Sequence, residues 1–256
     1  MELFDSHAHY DDKRFAEDYD EVILNAFNSG VKYILNAGSD IATSKKSIEL
    51  AEKYDFIYAA AGVHPHEVEK LGSSDYEELK KLCGHHKVVA VGEIGLDYFY
   101  DYSPREIQKQ WFTKQVELSK ELNMPIIIHN RDSHEDMMNI VRKYAPYLNS
   151  GVFHCFAGSW EMAKELLELG FYISFGGSIT FKNAKKSVEI LEKMPENRIL
   201  IETDCPYLTP EPFRGQRNHS GYVRLVAEKI SQIRGVPIEE IAKTTTENTK
   251  RLFGIK

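Results

Sequence analysis

Short runs of β-branched and aliphatic residues return along this sequence at a nearly constant interval. Polar segments separate the runs, and in these segments apolar residues recur every three or four positions, as in amphipathic helices. The runs start about 28 residues apart, the length of one strand, one helix and two loops. We predict eight strands, Leu3–Asp5, Tyr33–Ala37, Ile57–Val63, Val88–Gly92, Pro125–His129, Gly151–Phe156, Phe171–Phe175 and Ile199–Glu202.

The segments between the runs predict helices, and several of them begin with a Ser or Asp that can cap a first turn. Seven are Asp18–Ser29, Asp40–Tyr54, Asp75–Leu82, Pro104–Leu122, Ser133–Tyr144, Trp160–Leu169 and Ala184–Lys193. Near the C-terminus, Thr244 and Glu247 have the spacing of a capping box. This spacing predicts a last helix over Thr249–Phe253 that stops at Gly254.

Eight strands alternating with eight helices predict an α/β protein with the (β/α)8 fold, the TIM barrel. The structural alternative is an open doubly wound sheet, which usually carries a Gly-rich phosphate loop after its first strand. Here that position reads Asp5-Ser-His-Ala-His. No linker or low-complexity stretch divides the chain, so we expect residues 1–256 to form a single domain.

The composition of the chain limits its partners. With 42% hydrophobic and 28% charged residues, it has enough apolar material for a core and is not a disordered protein. The net charge of −7 means that a polyanionic substrate needs a local source of positive charge. Three cysteines without a CxxC pair argue against a disulfide scaffold. Without a signal peptide or a long apolar run, we expect a cytoplasmic protein with no membrane partner and no obligate protein partner, possible as a monomer.

Histidines collect where the predicted strands end. In a TIM barrel the active site lies at the C-terminal ends of the strands. Six of the ten histidines occupy these positions, namely His7, His9, His64, His66, His129 and His154. Two carboxylates, Glu93 and Asp204, follow the fourth and the eighth predicted strand. The sequence therefore places titratable groups together at one end of the barrel.

The spacing of His7 and His9 suits a metal site, because side chains two positions apart in a strand point to the same face. With Asp204 they can hold one divalent ion, and the second oxygen of Asp204 can accept a proton. A metal lowers the pKa of bound water to about 7, which makes hydroxide available near neutral pH.

A second ion can lie between His129 and His154, with Glu93 bridging the two ions through its two oxygens. Any one of these residues is more often a hydrogen-bonded core residue than a ligand. A packed interior, however, holds four imidazoles and two carboxylates only at great cost unless they have partners. The set as a whole therefore predicts a metal centre.

The motifs around these residues resemble those of the TatD-family metal-dependent deoxyribonucleases, a branch of the amidohydrolase-like TIM barrels. The matching stretches are Asp5-Ser-His-Ala-His9, Gly62-Val-His-Pro-His66, Val91-Gly-Glu-Ile-Gly-Leu-Asp-Tyr98, Ile128-His-Asn-Arg-Asp132, His154-Cys-Phe-Ala-Gly158 and Glu202-Thr-Asp-Cys-Pro-Tyr-Leu208. The resemblance implies one divalent metal on His7, His9, Glu93 and Asp204, and another on Glu93, His129 and His154. Zn²⁺, Mn²⁺ and Mg²⁺ stay open as the metal. The sequence departs from the family at His219 and Ser220, where Glu and Pro are usual, and at Asn130.

The function hypothesis is phosphodiester hydrolysis of nucleic acid, most simply DNA that is single-stranded or has free ends. Asp204 would act as the general base, with Glu93 as the second catalytic carboxylate. One alternative is amide or ester hydrolysis, as in amidohydrolases and lactonases on the same barrel, many of which place a modified bridging lysine at strand four. Another is metal binding without catalysis, against which the base Asp204 argues.

Four side chains are candidates for contacts with substrate phosphates, His64, Arg131, Arg214 and Arg217. The alternative for Arg131 is an ion pair with an acid such as Asp132, and for the other two arginines an exposed loop position. The aromatic run Tyr98–Tyr102 can stack unpaired bases or pack within its own loop. Glu202 can reach a metal ligand or pair with a basic residue in the barrel core.

Overall fold

The parallel strands of this chain lie in chain order around one sheet, β1 to β8. The computed structural model describes residues 1–256. The strands are β1 Leu3–Ala8, β2 Val31–Ala37, β3 Ile57–Ala61, β4 Val88–Asp97, β5 Ile126–Arg131, β6 Gly151–Phe153, β7 Tyr172–Phe175 and β8 Ile199–Ile201. Each strand pairs in parallel with the next one along the chain.

Hydrogen bonds join the residues Ser6–His9, at the end of β1, to Ile201 in β8 and to the segment that follows it. We call this set of bonds the seam, and it brings the first and last strands together. The hydroxyl of Ser6 donates to the carbonyl of Ile201 at 2.9 Å. The N–H of Asp204 donates to the carbonyl of His7 at 2.9 Å, and the N–H of His9 donates to Cys205 at 2.8 Å. The sheet is thereby nearly closed into a cylinder, and the predicted TIM barrel is confirmed.

Helices cover the outside of the barrel. They are α1 Tyr19–Asn28, α2 Ile41–Lys53, α3 Ser73–Cys83, α4 Arg105–Leu122, α5 His134–Tyr144, α6 Trp160–Glu168, α7 Lys185–Lys193, α8 Val223–Arg234 and α9 Ile238–Phe253. The start of α2 shows how the sequence sets a boundary. Asp40 accepts a hydrogen bond from the N–H of Thr43 at 2.6 Å, and the Thr43 hydroxyl lies 2.8 Å from the N–H of Asp40, forming a capping box. No helix is both long enough and apolar enough to cross a membrane.

Two apolar clusters lie on opposite faces of the sheet. The larger cluster, with 53 buried residues, includes apolar side chains from both the strands and the surrounding helices. The smaller cluster, with 11 buried residues, includes Phe4, Leu35, Ile127 and Leu200 from four strands. Leu252 and Phe253 at the end of α9 belong to this cluster. Because such clusters remove apolar surface from water, they hold the strands rigid beneath the loops that follow them.

The last two helices differ from the prediction. Thr244 and Glu247 do not begin a helix, because α9 already starts at Ile238, after Pro237. The hydroxyl of Thr245 donates to the carbonyl of Ile241 at 2.8 Å, which satisfies a polar group that would otherwise favour a helix end. The helix α8 was missed, although its buried residues Val223, Val226, Ala227 and Ile230 follow helical spacing.

The strand β4 is longer than predicted. It continues past Gly92 to Asp97, and its last part pairs with β5 through Gly95 opposite His129 and Asp97 opposite Arg131. Gly95 has φ of +150°, a backbone conformation that L side chains rarely adopt. The extension brings Asp97 to the same end of the barrel as the histidines.

Candidate active site

Three side chains from β1 and from the segment after β8 meet at the mouth of the barrel. Nε2 of His7 lies 3.0 Å from Nε2 of His9. Oδ1 of Asp204 lies 3.9 Å from Nε2 of His7 and 3.5 Å from Nε2 of His9. The seam between β1 and the chain after β8 fixes this arrangement, because its hydrogen bonds join the backbones of the same residues. The three ligand atoms converge closely enough for one cation.

A second group of side chains surrounds the other side of Glu93. Oε1 of this carboxylate lies 3.0 Å from Nδ1 of His129 and 2.9 Å from Nε2 of His154. His64 stands beside them, with its Nε2 3.5 Å from the same oxygen. The chain therefore offers nitrogen and oxygen ligands in a second set.

Glu93 joins the two sets. Its Oε2 lies 3.2 Å from Nε2 of His7 and 3.5 Å from Nε2 of His9, whereas its Oε1 faces the second set. One carboxylate thus presents one oxygen to each group of imidazoles. This geometry suits a bridging ligand.

The hydrogen bonds of two imidazoles show that the donor atoms fit a metal. Nδ1 of His9 lies 2.8 Å from the carbonyl oxygen of Ala37, which can only accept, so Nδ1 carries the proton. Nε2 of His129 lies 3.0 Å from Oδ2 of Asp97, so the ring proton stays there. In both rings the nitrogen that faces Glu93 is therefore the one that can give up its proton and bind a metal ion.

The electrostatics of the cluster favour positive charge between the carboxylates. Burial opposes protonation of His9, yet the hydrogen bond to Asp204 and the charge of Glu93 raise its pKa to about 9. Burial would raise the pKa of Glu93, but the neighbouring imidazoles His154 and His64 hold it well below its usual value. The carboxylates are therefore ionised, and either protons or metal cations must balance them.

The family model described as TatD related DNase matches residues 4–254. This chain belongs to the TatD family. The family expected from the motifs is thereby confirmed over nearly the whole length of the chain.

Relatives of known sequence or structure agree with the TatD assignment. The chain is 49% identical over 253 residues to YabD of Bacillus subtilis, named an uncharacterized metal-dependent hydrolase, and the match covers 99% of each chain. It is 34% identical over 259 residues to TatD of Escherichia coli K12, named a 3'-5' ssDNA/RNA exonuclease, again with 99% of each chain covered. The crystal structure of the TatD homologue YJJV from E. coli K12 superposes with a TM-score of 0.93 at 33% identity, covering 99% of this chain and 98% of that one.

Two further carboxylates of this TatD protein support the histidines. Oδ2 of Asp97 lies 3.0 Å from Nε2 of both His129 and His66. Burial would raise the pKa of Asp97, but these hydrogen bonds hold it far below its usual value. No role was predicted for Asp97, because β4 was expected to end at Gly92. Its position four residues after Glu93 was the available signal, since alternate strand residues share a face.

Glu202 is the second supporting carboxylate. It is fully buried, and its Oε1 accepts the N–H of Cys155 at 2.7 Å and lies 3.5 Å from Nδ1 of His154. No lysine or arginine pairs with it. Of the two alternatives left open by the sequence, the contact with a histidine of the cluster is therefore the one that the structure shows.

Buried polar contacts hold the backbone before Asp204. Asp5 accepts hydrogen bonds from the N–H of Thr203 at 2.8 Å and from its hydroxyl at 2.6 Å. Burial raises the pKa of Asp5 to about 7 despite these bonds. Nδ2 of Asn218 donates to the carbonyls of Thr203 at 2.8 Å and Tyr207 at 2.6 Å. No role was predicted for Asp5 or Asn218, because their partners lie far away in the sequence or in an irregular loop.

The four residues expected at the substrate lie in different surroundings. His64 is buried within the cluster. The Arg131 guanidinium is exposed at the end of β5 and lies 4.0 Å from the ring centre of Phe99, and it forms no ion pair with Asp132. Arg214 is exposed and lies 3.7 Å above the Phe181 ring.

Arg217 has internal partners instead. Its guanidinium makes two hydrogen bonds to the carboxylate of Asp18, at 2.9 and 2.6 Å, and also bonds to the carbonyl of Arg14. Arg217, which we expected either at the substrate or exposed in its loop, is thus tied to the start of α1. Its donors are largely taken.

A separate cavity lies at the opposite end of the barrel. It has a volume of about 610 Å³ and is lined by residues such as Met124, Tyr172, Arg198 and Phe253. No histidine, cysteine or acidic residue lines it, so it cannot hold a catalytic metal. The groups of residues that could hold a metal ion therefore lie at the histidine-lined mouth of the barrel.

Proposed function

We propose that this chain, acting as one barrel domain over residues 1–256, is a divalent-metal-dependent nuclease that hydrolyses phosphodiester bonds. The observation that carries the proposal is that the two carboxylate oxygens of Glu93 face different pairs of histidines. Its Oε2 faces His7 and His9. Its Oε1 faces His129 and His154. Such a carboxylate between two ligand sets suits a two-metal centre, which is the arrangement used for in-line displacement at phosphorus.

The proposed ligands follow the two sets. His7, His9, Asp204 and Glu93 would hold one ion, and Glu93, His129 and His154 the other. Bound divalent ions supply Lewis acidity toward the phosphoryl group and make water acidic enough to lose a proton near neutral pH. Two such ions exceed the charges of Glu93 and Asp204 by two, which supplies the local positive charge that an acidic protein needs for a polyanion.

Asp204 is the proposed general base. Its contacts with His7 and His9 are made through Oδ1, which leaves Oδ2 available for a proton. Burial would raise the pKa of Asp204, but the hydrogen bond to His9 and the charges of His154 and His7 lower it. The carboxylate is therefore ionised at neutral pH, so it can accept the proton of attacking water and return it to the leaving oxygen.

The proposed substrate is single-stranded DNA or RNA. The relative TatD of E. coli K12 is named for such an activity. Arg131 and Arg214 are exposed and have no carboxylate partner, so their guanidinium groups are available for phosphates. His64 would contact the phosphate nearest the metals, whereas Arg217 would act only by fixing the loop after β8 to Asp18.

The test combines metal analysis with a nuclease assay. Purified protein is stripped with chelator, reloaded with Mn²⁺, Zn²⁺ or Mg²⁺, and given end-labelled single-stranded DNA, duplex DNA and RNA. We expect shortening or nicking that stops with chelator, and a loss of at least a hundredfold in Asp204→Asn, which removes the proposed base. Metal content of that variant is measured in parallel, so that lost metal is distinguished from a lost base. Release of acid from amides or lactones with nucleic acid untouched would contradict the proposal.

A further inference from the structure

Exposed aromatic side chains gather beside the proposed metal centre. We call Phe99, Tyr100 and Tyr102 the aromatic platform, and their side chains are 55%, 45% and 65% exposed. They lie in the loop that follows β4, at the C-terminal end of the strands. An apolar cluster that faces water at the mouth of a site marks a binding surface more often than a structural one. The rings also pack on one another within the loop, but this packing leaves each of them largely exposed.

The loop that carries the platform is held in place. Oδ1 of Asp97 accepts the N–H groups of Phe99 at 3.0 Å and Tyr100 at 2.9 Å. The hydroxyl of Ser103 donates to the carbonyl of His66 at 3.0 Å, and Gln108 donates to the carbonyl of Ser103 at 2.8 Å. The rings are therefore presented to solvent on a fixed backbone, which lowers the entropic cost of binding.

One face of the platform is open to a flat ligand. The rings of Tyr100 and Tyr102 stack with their centres 5.4 Å apart, which leaves no room for a third ring, since two stacking contacts need about 7 Å. Arg131 lies 4.0 Å from the ring centre of Phe99 and 4.8 Å from that of Tyr100. The most exposed ring, Tyr102, thus offers its outer face.

The platform is joined to the metal-centre residues by a short chain of contacts. The ring of Tyr102 lies 4.8 Å from the ring of His66. His66 shares Oδ2 of Asp97 with His129, whose other nitrogen faces Glu93. A nucleotide whose phosphate reaches the metal centre therefore has a stacking surface beside it.

We propose that the outer face of Tyr102, backed by Tyr100, is a subsite for one unpaired base of the strand being hydrolysed. Stacking requires an exposed base face, and the bases of an intact duplex have theirs covered by neighbouring pairs. Arg131 lies against the rings of Phe99 and Tyr100 and has no carboxylate partner, so its guanidinium is free to meet a phosphate of the same strand. The subsite rests on the proposed nuclease function and assigns it unpaired strands as substrate.

The test compares ordinary single strands with strands that carry abasic residues, for the wild type, Tyr102→Ala and Tyr102→Phe. We expect Tyr102→Ala to raise KM for the ordinary strand by about five- to 150-fold, the range that removal of one base–aromatic stack produces. Tyr102→Phe keeps the ring and should stay within about twofold of wild type. The preference of the wild type for ordinary over abasic strands should shrink in Tyr102→Ala.

A matched control is Tyr147→Ala, which removes a tyrosine that is 62% exposed in the segment between α5 and β6, away from the mouth. It should not change KM. Binding is also measured by fluorescence anisotropy of a labelled oligothymidine and its abasic analogue, on metal-loaded Asp204→Asn with and without Tyr102→Ala.

Equal effects of Tyr102→Ala on ordinary and abasic strands, or equal binding of the two strands by the protein with Tyr102 intact, would overturn the subsite. Absence of cleavage of any strand by the wild type would overturn the nuclease function instead. In that case the anisotropy comparison still decides whether Tyr102 binds bases.

Discussion

Gly95 is the position where one added methyl group should do most harm to the site. It pairs with His129 across β4 and β5, and its φ is +150°. A Cβ built on Gly95 would lie 1.9 Å from the carbonyl oxygen of His129. Since a carbon and an oxygen approach to about 3.3 Å at closest, the two strands would have to separate by more than 1 Å.

The cost of Gly95→Ala has two parts. Holding a non-glycine residue in this backbone region costs about 1–3 kcal/mol. Separating the strands also weakens the ladder hydrogen bonds around the contact, each worth about 1 kcal/mol. We therefore expect the free energy of unfolding to fall by at least about 3 kcal/mol, and the imidazole of His129 to shift relative to Glu93.

Denaturant unfolding measures the stability of Gly95→Ala, and calorimetric titration with Mn²⁺ measures its metal binding. Gly170→Ala is the matched control, because Gly170 also has a positive φ, +89°, but no atom lies within 4 Å of its added Cβ. The control isolates the backbone cost of a positive φ, about 1–3 kcal/mol. Equal stability of the two variants, with unchanged metal affinity, would refute the argument from the close contact.

Three further predictions concern single side chains. Glu202→Gln should weaken Mn²⁺ binding about tenfold in calorimetry, because it removes the charge 3.5 Å from His154 while keeping the side-chain shape. Arg131→Ala should raise KM for nucleic acid several-fold, with the metal content unchanged. Arg217→Ala should change KM little. It should lower the free energy of unfolding by less than about 1 kcal/mol, because it removes a partly exposed ion pair. Burial raises the pKa of the Cys83 thiol from its ordinary value of 9.0 to about 12, so the thiol ionises first in the unfolded chain, and stability should fall as pH rises from about 9 toward 12. At pH 10 this loss is about 1.4 kcal/mol, and Cys83→Ala should flatten that part of the denaturation profile.

Each of these has a contradicting result. Wild-type metal affinity in Glu202→Gln would show that the carboxylate serves only Cys155. Equal KM changes in the two arginine variants would mean that the partners of Arg217 do not keep it from the substrate. An unchanged slope of stability against pH in Cys83→Ala would assign the alkaline loss to other groups.

The sequence was most informative where function depends on strand ends. His7, His9 and Glu93 were predicted to meet because the topology of a TIM barrel brings every strand end to one rim. The structure places their donor atoms within 3.5 Å of one another. The strands that predicted the barrel could be recognised because each is buried on both faces. A strand buried in this way is a nearly continuous apolar run, which is visible in the local composition.

Contacts between distant loop residues could not be predicted. The pairing of Arg217 with Asp18 joins residues 199 positions apart, and no periodicity encodes it. The role of Asp97 depended on how far β4 runs, and the strand was predicted to end at Gly92 because the glycines Gly92 and Gly95 weaken the strand pattern there. The start of α9 was missed because the threonines before Phe253 favour caps unless their hydroxyls bond back along the helix.

The seam of the barrel has a consequence for how the site is built. One set of proposed ligands comes from the first strand and from the segment after the last, so it exists only when the two ends of the cylinder have met. An ion held there would bind residues from both ends of the sheet. Separating β1 from β8 would then require breaking the bonds between the ion and its ligands. A cation at this mouth would therefore stabilise the closed cylinder as well as equip it for chemistry.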